Sequence, residues 1–380
     1  MTDNTKFYPT PNELRDVLRD SVRHTELLSF MRSKGVFFLN ASHEDATSLA
    51  SRHVFDGKGI EQLRKYAYRA THKSILSGFT MVSDSFFDLE SVYNTIREKE
   101  VLKKEGYKLN YLYKTGSKKY GGSVVFTKRK PGRNAFLRYE ERTINFTMET
   151  LSDKLWQVET DGENSTDGKV IQQMFATAVR GKEIKVDEIL FDSIPDASKI
   201  VLFDRLAKEG LGTEWSIVDV LRLTLKRPKA QTESSEEDED DAATIESETE
   251  TEKEKEKEKE KEEEVKEATK EQLSGIAQAI LEGKNLRENK FVHMAEEGGY
   301  IFSSMTYLFE RSKDGSHLKL RAEFKGNPRI FEVCLEGYSK ADMEAEDDVV
   351  TGLSDEENYE YRSAFWNSAK RIYSELMTKR

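Results

Sequence analysis

Apolar positions in the first hundred residues recur at helical spacing. Leu14, Val17, Leu18 and Val22 fall on one face, as do Leu27, Leu28 and Met31, with polar residues between them. Pro11 stands where a first helical turn tolerates it. Phe87, Leu89, Val92, Ile96 and Val101 form a broad stripe across Ser85–Lys104. Residues 11–105 therefore read mostly as helix. From Tyr107 the period changes to two. Tyr107–Tyr113, Ser123–Thr127, Asn134–Tyr139, Thr143–Met148 and Leu155–Val158 are short runs, punctuated by Gly121-Gly122 and Pro131-Gly132. Short strands with tight turns predict an antiparallel meander. Asp161–Gly168 reads as a polar loop, Val170–Arg180 and Ser198–Glu209 as helices, and Ser216–Leu225 as a strand.

A second set follows. Lys266–Gly283 reads as a helix; Tyr300–Phe309, Ser316–Phe324 and Arg329–Leu335 read as another meander, turned at Asp314-Gly315 and Gly326-Asn327-Pro328. An acidic loop, Asp342–Glu357, leads to a last helix around Glu360–Met377, rich in aromatics such as Phe365, Trp366 and Tyr373. These predict core packing on the meander, and any exposed part of that helix is a face for a protein partner. The expected class is α+β. It comprises a helical region at 1–105, an α+β domain at 106–230, an acidic linker at 231–264 and a C-terminal α+β domain at 265–380.

Charge sharpens that division. Glu233–Glu264 holds 18 acidic residues and five lysines, a net charge of −13 in a chain of −11. Everything outside the run is therefore slightly basic, at +2. Its Lys/Glu alternation sets opposite charges at i,i+3 but like charges at i,i+4, so the helix terms cancel. Self-repulsion predicts a disordered spacer. Arg222, Lys226, Arg227 and Lys229 lie immediately before the run, so it also reads as a tethered competitor for a basic surface.

The strongest binding signal is Lys103–Arg133. Lys103, Lys104, Lys108, Lys114, Lys118, Lys119, Lys128, Arg129, Lys130 and Arg133 face one acid, Glu105, a local charge of +9. Tyr107, Tyr111, Tyr113, Tyr120 and Phe126 are interleaved. Lysines and arginines neutralise phosphates with release of counterions, and exposed aromatic faces stack unpaired bases. Gly116 and Gly121-Gly122 would let the basic turn Lys118-Lys119 approach a backbone closely. The expected function is non-catalytic binding of nucleic acid, DNA or RNA, or of another polyanion. The expected contacts are these cations together with Tyr111, Tyr113 and Tyr120.

Near the N-terminus, Glu26-Leu27, Phe30-Met31 and Gly35-Val36 resemble the first helix and turn of the SAP motif, over roughly residues 20–55. The resemblance implies a helix–extended turn–helix unit that binds DNA and occasionally RNA, with Arg32 and Lys34 as phosphate contacts. The chain departs from the family where a Gly-x-Lys turn usually follows; it has Asn40-Ala41-Ser42, then Glu44 and Asp45. Ser42 with Asp45 has the pattern of a helix cap.

Catalytic signatures are sparse. Asp314 with Glu323-Phe-Lys325 has the spacing of a nuclease carboxylate–ExK set, with the acids to hold Mg²⁺ and the lysine to steady phosphate charge. This is the alternative reading, beside that of a protein-assembly subunit. Asp161–Gly168 matches a calcium loop poorly, since Thr166 stands where glycine is needed. The six histidines show no HExxH spacing, and no phosphate-loop or nucleophile-elbow motif occurs. No metal or cofactor is expected. One cysteine, Cys334, excludes a disulfide framework. With no apolar run of about 18 residues and no basic-then-apolar start after Met1, the chain reads as soluble, intracellular and free of membrane.

Overall fold

The computed structural model describes residues 8–69, 74–83, 89–98, 107–129, 137, 139–179, 184–227, 243–246, 277–340 and 353–378. They fall into two compact units. One comprises Met1–Lys73, Glu98–Leu112 and Gly122–Ile144; the other comprises Ser74–Arg97, Tyr113–Gly121 and Asn145–Arg380.

The first unit is built on helices α1 (Pro11–Ser21), α2 (His24–Ser33), α3 (His43–Ala50) and α4 (Gly57–Arg69). The apolar stripes face inward as the spacing predicts: Leu14, Val17, Leu18, Leu27, Phe30, Met31, Ala46, Ala50 and Leu63 make one core. Thr10 and Glu13 form a reciprocal cap at the start of α1, with Pro11 in its first turn. Ser42 caps α3 by accepting from Asp45 N. At the end of α2, Gly35 N donates to Arg32 O and Val36 N to Met31 O, with Gly35 at φ +79°. That left-handed stop with an apolar residue after it is what the Gly35-Val36 pair does here.

The second unit carries most of a largely antiparallel sheet, and the class is α+β. In chain order its elements are β1 (Ile75–Ser83), α5 (Leu89–Glu98), the strands β2 (Tyr107–Lys114) and β3 (Lys119–Arg129), then β4 (Tyr139–Ser152) and β5 (Leu155–Gly162). Of β2 and β3, the turn and its flanks, Tyr113–Gly121, belong to this unit. There follow α6 (Gly168–Ala178), β6 (Ile184–Glu188), α7 (Asp196–Glu209), β7 (Trp215–Lys226), β8 (Ala243–Glu246), β9 (Gln278–Glu282), α8 (Lys290–Glu297), β10 (Ile301–Arg311), β11 (His317–Lys325), β12 (Ile330–Ser339) and α9 (Asp355–Thr378). The sheet runs β4-β5-β1-β12-β11-β10-β7-β9-β8, with β6 also beside β1. One face packs Leu76, Leu223, Met305, Tyr307, Leu320 and Val333 against Phe203 and Leu206 of α7 and Phe365, Trp366 and Ile372 of α9. At Gly78 the sheet meets α9 closely: a Cβ there would lie 2.6 Å from both the Trp366 ring and Val158 O.

Four expectations change. Residues 75–83 do not continue the helical region; Ile75-Leu76-Ser-Gly-Phe-Thr-Met81 is buried on both faces, as a central strand requires. The helix expected over Lys266–Gly283 is, at Gln278–Glu282, the strand β9, with Ala279 and Leu281 turned to the core. Asp161–Gly168 is not a loop throughout: β5 ends at Gly162, a tight turn covers Ser165–Asp167, and Gly168 begins α6. The segments flanking the acidic run share one sheet. Phe302 pairs with Leu225, Ala279 with Leu225, and Cys334 with Ile75. Inside the run itself, Ala243–Glu246 pairs parallel to β9; it holds Ala243, Thr244 and Ile245, the least acidic stretch of that segment. The rest of Glu233–Glu264 lies outside the described residues.

No helix among the described residues is long and apolar enough to cross a membrane.

Candidate functional site

The turn of the β2–β3 hairpin is closed by Thr115 N and Gly116 N, which both donate to Lys119 O. Lys118 O accepts from Thr150 N, which ties the turn to β4. This leaves the side chains of Thr115, Ser117, Lys118 and Lys119 exposed. Alternation then separates the two sides of the hairpin. On one side Lys114 Nζ lies 3.2 Å from Glu90 of α5 and 5.6 Å over the Tyr120 ring. Tyr120 packs against Tyr93 of α5, centroids 5.3 Å apart. The Glu90 carboxylate holds the Lys114 ammonium pKa above its ordinary value. On the other side Tyr113 is 47% exposed, and its ring lies against Gly121.

This placement sorts the residues expected to bind. Lys118 and Lys119 are exposed and pair with no described acid. Lys108 and Tyr111, in the part of β2 assigned to the helical unit, are exposed too. Tyr120 is not available as a stacking surface: at 3% exposure it belongs to the packing beneath Lys114. Lys114 is committed to Glu90. Gly121 and Gly122 lie within β3 rather than in the turn. Lys128 and Arg129 end β3; Lys103, Lys104, Lys130 and Arg133 lie outside the described residues. In the helical unit Arg32 is exposed, while Lys34 Nζ is 3.2 Å from Asp56 and 5.7 Å over Phe30.

The nuclease set does not assemble. Asp314 sits in the β10–β11 turn, where it accepts from Ser316 N at 3.1 Å and faces Arg311 at 3.8 Å. Glu323 and Lys325 lie at the far end of β11. From His317 to Glu323 the extended chain covers about 20 Å, far beyond a shared ion. Among the described residues no group of three or more His, Cys, Asp or Glu is placed to hold a metal ion. The aromatics at the centre of α9 are likewise spoken for: Phe365, Trp366 and Tyr373 are buried in the core, so they offer no docking face.

Sequence reasoning missed two buried polar clusters. In the first, Glu323 and Glu332 stand directly opposite across β11 and β12. Arg321 lies 3.3 Å from Glu323 and 3.2 Å from Glu336. Glu332 is 1% exposed and accepts from Ser165 N at 3.0 Å. Burial first, and then the neighbouring Glu323, push the Glu332 carboxyl up to about 8. Glu323 Oε1 and Glu332 Oε1 are buried without a hydrogen-bond partner; one proton on Glu332 satisfies both. The strands alternate as exposed polar positions would, and at Glu332 the turn Ser165–Asp167 folds over β12 through Ser165 N.

In the second cluster, α9 presents a polar stripe to β5. Glu159 accepts from Tyr359 and Ser363, each at 2.7 Å, and from Asn367 and Gln157, each at 3.0 Å. Lys370 donates to Gln157 at 2.7 Å, and burial lowers its ammonium to about 8 despite Asp187 and Glu159. Every carboxylate oxygen of Glu159 is taken, so this is a structural staple with no open acceptor. Residues 359, 363, 367 and 370 are spaced as one helix face, a signal visible in the sequence.

No family model matches the chain, and no curated protein matches it. Among solved structures, the di-domain ARO/CYC BexL from the BE-7585A biosynthetic pathway aligns over 79% of this chain and 96% of its own length. The identity is 9% and the TM-score 0.14. A likeness that distant carries no argument about fold or activity.

Proposed function

We propose that the chain is a non-catalytic binder of nucleic acid, or of a polyanion of similar charge density, and that the tip of the β2–β3 hairpin is its contact. The observation that carries this reading is the pair Lys118 and Lys119, exposed in a turn held rigid by backbone hydrogen bonds and facing no described acid. Two adjacent ammonium groups on a fixed turn neutralise phosphates without first breaking an internal ion pair. The acidic run Glu233–Glu264 is proposed as a counter-charge that weakens non-specific capture.

Fluorescence anisotropy of a labelled oligonucleotide, titrated with protein at several salt concentrations, tests the reading. The wild type binds at low salt and loses affinity linearly in log salt. The double variant Lys118→Glu/Lys119→Glu binds more weakly, and its slope is reduced by about 2, one unit for each lost phosphate contact. An unchanged slope in that variant sends the contact elsewhere, and no binding at low salt ends the reading. Capture of an acidic protein instead, insensitive to nuclease, supports an assembly role.

A further inference from the structure

We infer that His24 and His43 form a site for one divalent transition-metal ion of the class that favours imidazole nitrogen, such as Zn²⁺, Ni²⁺ or Cu²⁺. The site is independent of the proposed hairpin contact and lies wholly within the helical unit. His24 is the first residue of α2 and His43 the first of α3. No sequence motif joins them, yet their ring centroids are 5.5 Å apart with the planes at 88°. Each ring has an Nδ1 that is buried and has no hydrogen-bond partner among the described residues. A buried polar atom left unsatisfied costs about 1–3 kcal/mol, and here two of them lie on neighbouring rings. One ion bound by both removes both costs.

The tautomer of His43 is set. Its Nε2 lies 3.1 Å from Arg19 O, in the last turn of α1. A carbonyl oxygen only accepts, so the proton sits on Nε2 and Nδ1 carries the lone pair. A ring that donates from one nitrogen to a backbone carbonyl and offers the other is how metal-ligating histidines are held. His24 makes no side-chain hydrogen bond among the described residues, so nothing there competes for its Nδ1. The ring separation also fits one ion. An ion about 2.0–2.1 Å from an imidazole nitrogen lies about 3.2 Å from the ring centroid, so two imidazoles on a tetrahedral ion have centroids about 5.2 Å apart. The observed 5.5 Å is close to that value. Water completes the shell, since among the described residues no third His, Cys, Asp or Glu joins the pair. Two helix starts bring positive dipole ends to the site, and the first-turn acids Glu26, Glu44 and Asp45 offset them. The bound ion would link α2 to α3, and His43 ties both to α1.

Isothermal titration of the untagged full chain with zinc chloride near neutral pH, after treatment with a chelator, tests the site. Spectra of protein labelled with nitrogen-15 histidine name the nitrogens involved. The wild type takes up one Zn²⁺ per chain in a saturable step, and the Nδ1 signals of two of the six histidines move with it. His24→Gln and His43→Gln each weaken uptake by roughly 10-fold or more, since losing a ligand costs at least as much as losing the partner that orients one. In either variant the paired Nδ1 shift disappears. Thermal unfolding shows which variants are folded. His24→Gln, which breaks no side-chain hydrogen bond, decides the matter if His43→Gln does not fold. Uptake unchanged in the folded variants, as the carboxylates of Glu233–Glu264 would give, overturns the site. So does a wild type that takes up no Zn²⁺, or one whose Nδ1 signals stay still while it does.

Discussion

Arg362→Ala is expected to cost about 3–5 kcal/mol, the loss seen when one partner of a buried ion pair is removed. Arg362 is 2% exposed in the middle of α9. Its Nη1 donates to Asp161 Oδ1 at 2.6 Å and to Ser74 Oγ at 3.0 Å; Nη2 reaches Asp161 Oδ2 at 3.3 Å, and Nε donates to Asn358 Oδ1 at 2.8 Å. Ser74 Oγ also donates to Asp161 Oδ1 at 2.6 Å. One guanidinium thus ties α9 to the end of β5 and to the residue before β1. Truncation leaves the Asp161 carboxylate facing an interior with no cation, and that stranded charge supplies most of the cost. Urea unfolding of Arg362→Ala, Asp161→Asn and the double variant measures it. The double variant is expected to lose far less than the sum of the singles. A loss below about 1 kcal/mol, typical of an exposed pair, would contradict the buried geometry.

Glu332→Gln is expected to have the opposite sign at alkaline pH. The Glu332 carboxyl titrates near 8 in the folded chain against an ordinary value of 4.5. Between those values the folded chain holds a proton that the unfolded chain has released. Stability therefore falls as pH rises through the window, and levels off above pH 8. Glutamine keeps a carbonyl for Ser165 N and gives an N–H to Glu323, and it has no proton to lose. The variant should match the wild type near pH 4 and exceed it by roughly 2–4 kcal/mol at pH 8.5. Arg321 and Glu336 remain as they were, so the difference reports the Glu323–Glu332 pair. Parallel unfolding curves, with a gap that does not change from pH 4 to pH 8.5, would show that Glu332 is ionised in the folded chain.

Local features were legible in the sequence where the responsible forces are local. Pro11 in the first turn of α1, the Ser42 cap, the β10–β12 meander and its Asp314-Gly315 turn depend on neighbours within a few residues, and all lie where the pattern puts them. The stretch 75–83 was lost among helices because a strand buried on both faces shows no alternation. Residues 278–282 were lost because Ala-Ile-Leu suits either period until β7 is there to pair with it. The acidic run looks like a domain boundary by composition, yet pairing between β7 and β10 passes over it at no compositional signal.

The site divides in the same way. Once the turn is closed at Thr115 and Lys119, alternation puts Tyr113 and Tyr120 on opposite sides of the hairpin, but does not say which side meets α5. Only the packing of Tyr93 decides that Tyr120 is core and Tyr113 is surface. Gly121 reads in the sequence as turn punctuation; in the fold it is the seat of a ring. The Glu323–Glu332 pair was hidden because its partners come from β12 and from Ser165, far apart along the chain.

We propose that the hairpin tip touches nucleic acid. Photo-crosslinking a single strand that carries 5-iodouracil, followed by mass spectrometry of the crosslinked peptide, tests it most directly. The expected result is a crosslink within Tyr113–Lys119, lost at high salt and in the Lys118→Glu/Lys119→Glu variant. A saturable crosslink confined to another segment, unchanged in that variant, would contradict it.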